Sequence, residues 1–166
     1  MNEKISQLMN AKKPVTLGVI AKELACTELQ AAYALPKENC AFIRDIADFD
    51  SIWLAMSQWE KVTLFLIHEG HVFEIQSQLS SGKRAMGYYN ILAKDAVIGG
   101  HLNPDLLKTI AFISMPFMGR ESHYVAFFGK DEKLHFSVYV GRENHHLITS
   151  VKESFLELKS QYCICE

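Results

Sequence analysis

The sequence lacks any long hydrophobic run, and this absence bears on where the protein works. No stretch approaches the roughly 18 consecutive apolar residues that a membrane-spanning helix needs, so we expect no membrane insertion. The first 20 residues also lack the apolar segment and the small-residue cleavage site of a secretory signal peptide. Together these two absences predict a soluble, cytoplasmic protein.

An excess of basic residues is also missing. The chain carries 17 lysines and arginines against 19 acidic residues, for a net charge of −2, whereas nucleic-acid-binding domains are usually basic. The segment IAKELACTELQAAYAL has the spacing of a helix-turn-helix with its turn at Cys26-Thr27. Its second helix offers Glu28 and Gln30 but no basic side chain before Lys37. We therefore expect no nucleic-acid partner, and a DNA-binding regulator is the weakest alternative.

The cysteines show no C-x-x-C spacing, which argues against a zinc knuckle. Without a secretory signal, a disulfide framework is not expected either. The four residues are Cys26, Cys40, Cys163 and Cys165. The last two belong to the terminal CICE segment, where an exposed pair of thiols would suit a soft metal, but we expect reduced thiols of no particular role.

The sequence does contain the composition and periodicity of one globular domain over residues 1–166, with 49% hydrophobic and 22% charged residues. Residues 1–50 have mainly helical spacing, and Thr16 is the predicted N-cap of the principal helix. Residues 51–143 begin with a short helix, DSIWLAMSQW, and continue as strands. Residues 144–160 show the apolar stripe of a C-terminal helix.

About seven strand-like runs follow one another, with turn residues between them. The runs are KVTLFLIH, HVFEIQSQL, MGYYNIL, AVIGGHL, LKTIAFISM, SHYVAFF and KLHFSVYVG. Short connections favour antiparallel neighbours, so these runs predict a meander. The fold class is therefore α+β, an antiparallel sheet that curls into a split barrel with helices at both ends.

A tight turn sets the register of the first predicted hairpin. If Glu69-Gly70 is its two-residue loop, then His68 lies opposite His71. Both imidazoles then lie on the apolar face of the predicted hairpin, at the end where its turn is.

The stretch MGYYNILAKDAVIGGH forms a second predicted hairpin. A turn centred on Lys94-Asp95 pairs Tyr88 with His101 on one face of the sheet. The two glycines before the histidine leave room for a flat group against the backbone. From the residues alone, two interpretations stay open: the tyrosine and the histidine are ligands, or they are core residues with hydrogen-bonded polar tips.

Several spaced motifs together resemble a known family. GYYN followed by GGH, then PFMGRESHYVAFF and VYVGRENHHLI, with VTLFLIH upstream, are similar to the intracellular heme-utilisation carriers known as HutX or ChuX. The resemblance implies a split barrel with flanking helices, related to the internally duplicated HemS and ChuS proteins. It also implies a homodimer that binds heme in the bacterial cytoplasm and passes it to a heme-degrading or iron-releasing partner.

The resemblance also implies the site residues. The heme-ligating tyrosine of the family falls on Tyr88, and histidines implicated in heme binding fall on His101 and His68. Arg120 and Arg142 are then candidates for holding the propionates, because a guanidinium pairs bidentately with a carboxylate. The turn in AKDAVIGG departs from relatives with longer or more glycine-rich turns, so its geometry is in question.

The chemistry of these residues fits a heme ligand set. A phenolate is an anionic donor suited to ferric heme, and tyrosine is a known axial ligand. Ligation at neutral pH requires the charge of the metal or a hydrogen-bond donor, which His101 can supply. In the alternative, His101 ligates the iron and Tyr88 lines the pocket. A heme-degrading enzyme is a second functional alternative, although the chain has no flavin or nicotinamide fingerprint.

Overall fold

The computed structural model describes residues 2–11 and 14–164. Its five helices are α1 (Asn2–Met9), α2 (Leu17–Leu24), α3 (Glu28–Tyr33), α4 (Phe49–Met56) and α5 (Thr149–Tyr162). None of these helices in the described part of the chain is long and apolar enough to cross a membrane.

The strands of the described residues form one large sheet and two small ones. They are β1 (Cys40–Phe42), β2 (Val62–His68), β3 (His71–Ser77), β4 (Lys83–Ala85), β5 (Tyr88–Ile91), β6 (Gly100–Leu102), β7 (Leu107–Ser114), β8 (His123–Gly129), β9 (Leu134–Val140), β10 (Arg142–Glu143) and β11 (His146–Leu147). The large sheet has the order β1-β7-β8-β9-β2-β3, a small sheet has the order β4-β5-β6, and β10 pairs with β11. Every pairing is antiparallel.

The predicted α+β class, an antiparallel sheet with flanking helices, is confirmed, but the simple meander is wrong. After β3 the chain leaves the large sheet, builds β4 to β6 as a separate layer, and returns at β7 beside β1. Strand β9 then pairs with β2, so that Val62 lies opposite Val140. Apolar alternation locates strands but carries no information about such distant partners, because loop closure and packing decide them.

The large sheet is covered on one face by α4, α5 and the small sheet. Trp53 of α4, Phe155 of α5 and Tyr89 of β5 all belong to this first core cluster. On the other face, α1 to α3 cover the β1, β7 and β8 side and form a second cluster. Strand β8 is buried along its whole length. Its consecutive residues Phe127 and Phe128 point to opposite faces of the sheet, the first into the first core cluster and the second into the second. Burial on both faces explains why this strand reads as a continuous apolar run.

The N-terminal helices begin and pack as the sequence predicts. The hydroxyl of Thr16 accepts a hydrogen bond from the backbone N–H of Val19, which confirms the N-cap of α2. Thr27 and Gln30 form a capping box at the start of α3. Leu29 is buried against the large sheet, and the carboxylate of Glu28 accepts the backbone N–H of Leu134. Helix α3 therefore uses its apolar face to pack on the sheet.

The C-terminal helix begins later than expected. It begins at Thr149 instead of Asn144, because Asn144 and His145 form a tight turn with positive φ values of 48° and 68°. This turn joins β10 to β11, and two left-handed residues are what such a hairpin requires. Cys163, just after this helix, is buried, which argues against an exposed pair of thiols at the C-terminus. Cys165 lies outside the described residues.

Candidate functional site

The small sheet positions the two candidate ligands. Its register pairs Tyr89 with Leu102, Asn90 with His101, and Ile91 with Gly100. The predicted register is therefore wrong by two residues. The chain does turn at Lys94-Asp95, where the backbone N–H of Ala96 donates to the Ala93 carbonyl oxygen, but this turn lies within a longer loop over residues 92–99 and does not join the strands directly. A shift of two residues keeps every side chain on its own face. Tyr88 and His101 consequently share one face as diagonal neighbours.

The two adjacent tyrosines have opposite environments. Tyr89 is 3% exposed and its ring packs edge-on against Phe49 and Trp53. Its phenolic oxygen accepts the backbone N–H of Gly82 at 2.9 Å, and burial raises the pKa of Tyr89. Tyr88 is 44% exposed on the other face of the sheet. The interpretation as a core residue with a hydrogen-bonded tip therefore describes Tyr89 and not Tyr88.

Tyr88 and His101 lie within reach of one bound group. Their ring centroids are 5.9 Å apart, and the ring planes meet at 66°. Both side chains are exposed. Beside them, Gly100 has a φ of +145°, and a Cβ atom placed there would meet nothing within 4 Å. This geometry leaves open space against the backbone, as the glycine pair predicts.

Asn90 belongs to the candidate site, and the sequence interpretation missed it. It is 8% exposed, and its Oδ1 lies 2.6 Å from Nδ1 of His101. Its Nδ2 donates to three backbone oxygens, those of Lys83, Ala85 and Tyr88, at 3.0–3.1 Å. The asparagine side chain thus joins the β4–β5 hairpin to the histidine of β6. The only sequence signal was its position two residues after Tyr88, which places it on the same face.

Exposed apolar side chains surround this face. Met86 is 96% exposed in the β4–β5 turn, where it and Gly87 both have positive φ. Leu92 and Val97, in the loop between β5 and β6, are exposed as well. Apolar surface left exposed near polar groups is typical of a binding region.

His68 lies at the tip of the β2–β3 hairpin. The predicted register of this hairpin is confirmed, with His68 opposite His71. Both histidines are exposed, as is Phe73 on the neighbouring strand. Among the described residues, no hydrogen bond or ring contact joins His68 to the tyrosine and histidine of the small sheet.

Arg120 lines a separate pocket of about 450 Å³ on the large sheet. Phe65 and Tyr139, with ring centroids 4.5 Å apart, contribute aromatic surface, and Arg142 lines the pocket too. Burial first, and then the positive charge of Arg120, lower the pKa of Arg142, so the two guanidinium groups are close. Phe65 alternates along β2 with Leu64, which faces the first core cluster. The pocket therefore opens on the opposite face of the large sheet from the small sheet.

The loop that carries Arg120 is held by a polar cluster. The Glu121 carboxylate accepts Lys152 and His123, and these two groups, in that order, lower the pKa of Glu121. His123 also bonds to the hydroxyl of Ser114 at 2.7 Å. These contacts fix the loop against α5 and β7. The described lining of the pocket includes neither Tyr88 nor either candidate histidine, so the described residues do not bring all the predicted site residues into one pocket.

Comparisons with known proteins agree with this architecture. The family model described as haem utilisation ChuX/HutX matches residues 44–158. The intracellular heme transport protein HutX of Vibrio cholerae serotype O1 is 32% identical over 163 residues, which are 98% of this chain and 84% of that protein. A crystal structure of ChuX superposes with a TM-score of 0.83 at 25% identity, covering 93% of this chain and 95% of that one.

A more distant likeness concerns a larger protein. The heme degrading enzyme ChuS of Escherichia coli O157:H7 superposes with a TM-score of 0.76 at 12% identity. The superposition covers 95% of this chain and 47% of that one, so the two share a fold and this chain corresponds to about half of ChuS. The match of the family model to most of the chain, together with the identity to HutX, shows that the chain belongs to the ChuX/HutX family of haem utilisation.

Proposed function

We propose that this protein is a heme carrier that takes up heme in the cytoplasm and passes it to a heme-degrading or iron-releasing partner. The observation that carries the proposal is that the rings of Tyr88 and His101 lie side by side on one exposed sheet face, beside the bare backbone of Gly100. The name of the Vibrio cholerae relative, an intracellular heme transport protein, supports both the activity and the location.

Tyr88 is the proposed axial ligand to ferric heme. A phenolate oxygen is a hard, anionic donor that suits ferric iron better than ferrous iron. A tyrosine phenol is ordinarily protonated at neutral pH, so a nearby group must take or balance its proton. His101 is the proposed neighbour for this task, and it is also the alternative iron ligand. The exposed side chains of Met86 and Leu92 supply apolar surface for the macrocycle.

A homodimer is the proposed assembly. Strand β3 is an open edge of the large sheet, and the apolar residues Val72 and Phe73 are exposed on it. Such an edge is an aggregation hazard unless another surface covers it. We propose that a second copy provides the cover and that His68 and Arg120 contact heme only in the dimer. Sedimentation equilibrium at micromolar concentration tests this proposal, and a single species of monomer mass contradicts it.

A heme-degrading enzyme is the second candidate, because the chain shares its fold with ChuS. Heme cleavage requires an open coordination position for oxygen and a source of electrons. A carrier requires only a ligand that can be released, and a ferric-selective phenolate meets that requirement. The HutX relative, which is far closer in sequence, is named a transport protein.

One titration separates these functions. Purified protein is mixed with hemin, and the absorption spectrum is followed to saturation. A carrier gives a stoichiometric complex whose heme band survives the addition of a reductant and oxygen, whereas an enzyme loses the band as the macrocycle opens. A protein that leaves the spectrum of free hemin unchanged is neither, and the proposed function then fails.

A further inference from the structure

The side-chain amide of Asn90 lies between His101 and the backbone of the β4–β5 hairpin. The Nδ2 group of Asn90 faces three backbone carbonyl oxygens, all acceptors, at 3.0–3.1 Å. Exchanging the amide nitrogen and oxygen would set an oxygen against those three acceptors, so the network allows only one orientation of the amide. The atom that faces His101 is therefore the Oδ1 acceptor.

A fixed acceptor requires a donor opposite it. Nδ1 of His101 lies 2.6 Å from Oδ1 of Asn90, so Nδ1 must carry the hydrogen in the neutral imidazole. Nε2 then holds the lone pair. Asn90 is 8% exposed, and a buried side-chain amide that makes all these bonds has little freedom to rotate away.

From this geometry we infer that Asn90 is a positioning residue, which holds His101 in the Nδ1–H tautomer so that Nε2 is a proton acceptor beside Tyr88. The inference rests on the proposed heme site and adds the direction of its proton transfer. In the apo-protein, His101 is then a base and not a hydrogen-bond donor toward the tyrosine.

The proton balance follows from the tautomer. If Tyr88 were to hold ferric heme, the proton released from its Oη would have an acceptor in Nε2 of His101. The imidazolium so formed would keep its Nδ1–H bond to Asn90 and would carry a new Nε2–H donor for the phenolate. No hydrogen bond joins the side chains of Tyr88 and His101 in the described residues, although their ring centroids are 5.9 Å apart. A proton transfer therefore requires a closer approach of the two side chains on binding or one bridging water.

The tautomer is measured without heme, by the ¹⁵N chemical shifts of the His101 ring in the full-length apo-protein above the pH at which the ring becomes neutral. The resonance is assigned by its loss in His101→Ala. We expect Nδ1 to be the protonated nitrogen and Nε2 the unprotonated one. Protonation of Nε2 in the unsubstituted protein overturns the inference, whatever the variants do. A failure of hemin to bind overturns the proposed function and leaves this result standing.

Variants connect the tautomer to heme retention. Asn90→Ala removes the acceptor, so His101 should lose its preference for Nδ1–H, and hemin should dissociate about 10–100-fold faster. Asn90→Asp keeps an oxygen that accepts from Nδ1–H and should retain the tautomer, but its second carboxylate oxygen faces the three carbonyl oxygens that Nδ2 bonds, so the variant should unfold at a lower temperature. Asn39→Ala is the matched control, because it removes a side-chain amide bonded to the Ser114 carbonyl elsewhere in the fold. An unchanged tautomer in Asn90→Ala, or equally fast hemin release in Asn39→Ala, contradicts a positioning role.

Discussion

Trp53→Phe tests whether the first core cluster holds the candidate site in place. Trp53 is 1% exposed, its indole N–H donates to the backbone oxygen of Ser80 at 2.9 Å, and its ring packs edge-on against Tyr89. It thus fixes both the segment that leads into the small sheet and the buried neighbour of Tyr88. Phenylalanine retains one ring but removes the donor and part of the buried surface.

The expected loss of stability can be estimated from these contacts. The smaller buried surface costs about 1–2 kcal/mol, and the lost hydrogen bond costs about 1 kcal/mol. The free energy of unfolding should therefore fall by about 2–3 kcal/mol, which lowers the Tm of a domain of this size by about 4–12 °C. Because the small sheet loses an anchor, hemin should also dissociate faster.

Urea unfolding and stopped-flow hemin transfer measure the two effects. The matched control is Trp59→Phe, since Trp59 is also buried but packs against Phe155 of α5, away from the small sheet. The control should lose stability without a faster release of hemin. If Trp53→Phe loses less than about 1 kcal/mol, or if both variants release hemin at the same rate, the proposed coupling is wrong.

Three further predictions concern backbone strain, thiol burial and pH. Gly100→Ala should lower the free energy of unfolding by about 1–3 kcal/mol, because φ at this position is +145°. Gly99→Ala is the control, since φ is not positive there, and equal melting temperatures of the two variants would refute the argument. Burial raises the pKa of Cys40 to about 12, so at pH 8 iodoacetamide should modify it much more slowly than the partly exposed Cys26, as mass spectrometry would show. The pKa of Glu121 is lowered by its lysine and histidine partners; its contribution to stability is present above the ordinary glutamate pKa and is lost as the pH falls through the lowered value. Glu121→Gln should flatten the pH dependence of urea unfolding below about pH 5, and an unchanged slope speaks against the ion pair.

The sequence predicted the register of a hairpin correctly only where a two-residue turn joins its strands directly. Glu69 and Gly70 both have positive φ, so they form the tight turn that fixes β2 against β3 as expected. A turn also forms at Lys94-Asp95, where the backbone N–H of Ala96 donates to the Ala93 carbonyl oxygen, but it lies within a longer loop over residues 92–99. This turn therefore does not fix the pairing of β5 with β6, and their register shifts by two residues.

The same shift explains which site residues were found. Tyr88 and His101 stay on a common face, because side chains alternate between the two faces of a strand and a shift by an even number of residues leaves each on its own face. Asn90 was missed because the predicted register places it opposite Gly99, whereas the actual register places it opposite His101. Predicting which two side chains touch requires the correct register, whereas predicting which face they share does not.

The position of Arg120 depends on tertiary structure. Its motif marked it as a candidate, but the pocket that it lines lies on the far face of the large sheet. Which layer covers which sheet face follows from the crossover of the chain between β3 and β7. That crossover is set by the packing of two cores, which no single stretch of sequence encodes.

The central claim, that Tyr88 binds the iron, is tested most directly by comparing the hemin complexes of Tyr88→Phe and Tyr89→Phe. The two substitutions each remove one phenolic oxygen, at adjacent positions in the chain. Tyr88 is exposed on the sheet face that it shares with His101, whereas Tyr89 is buried on the other face. The account predicts that Tyr88→Phe loses the charge-transfer features of phenolate-bound ferric heme and releases hemin faster, while Tyr89→Phe keeps the spectrum of the unsubstituted protein. An unchanged spectrum and release rate in Tyr88→Phe would contradict the account.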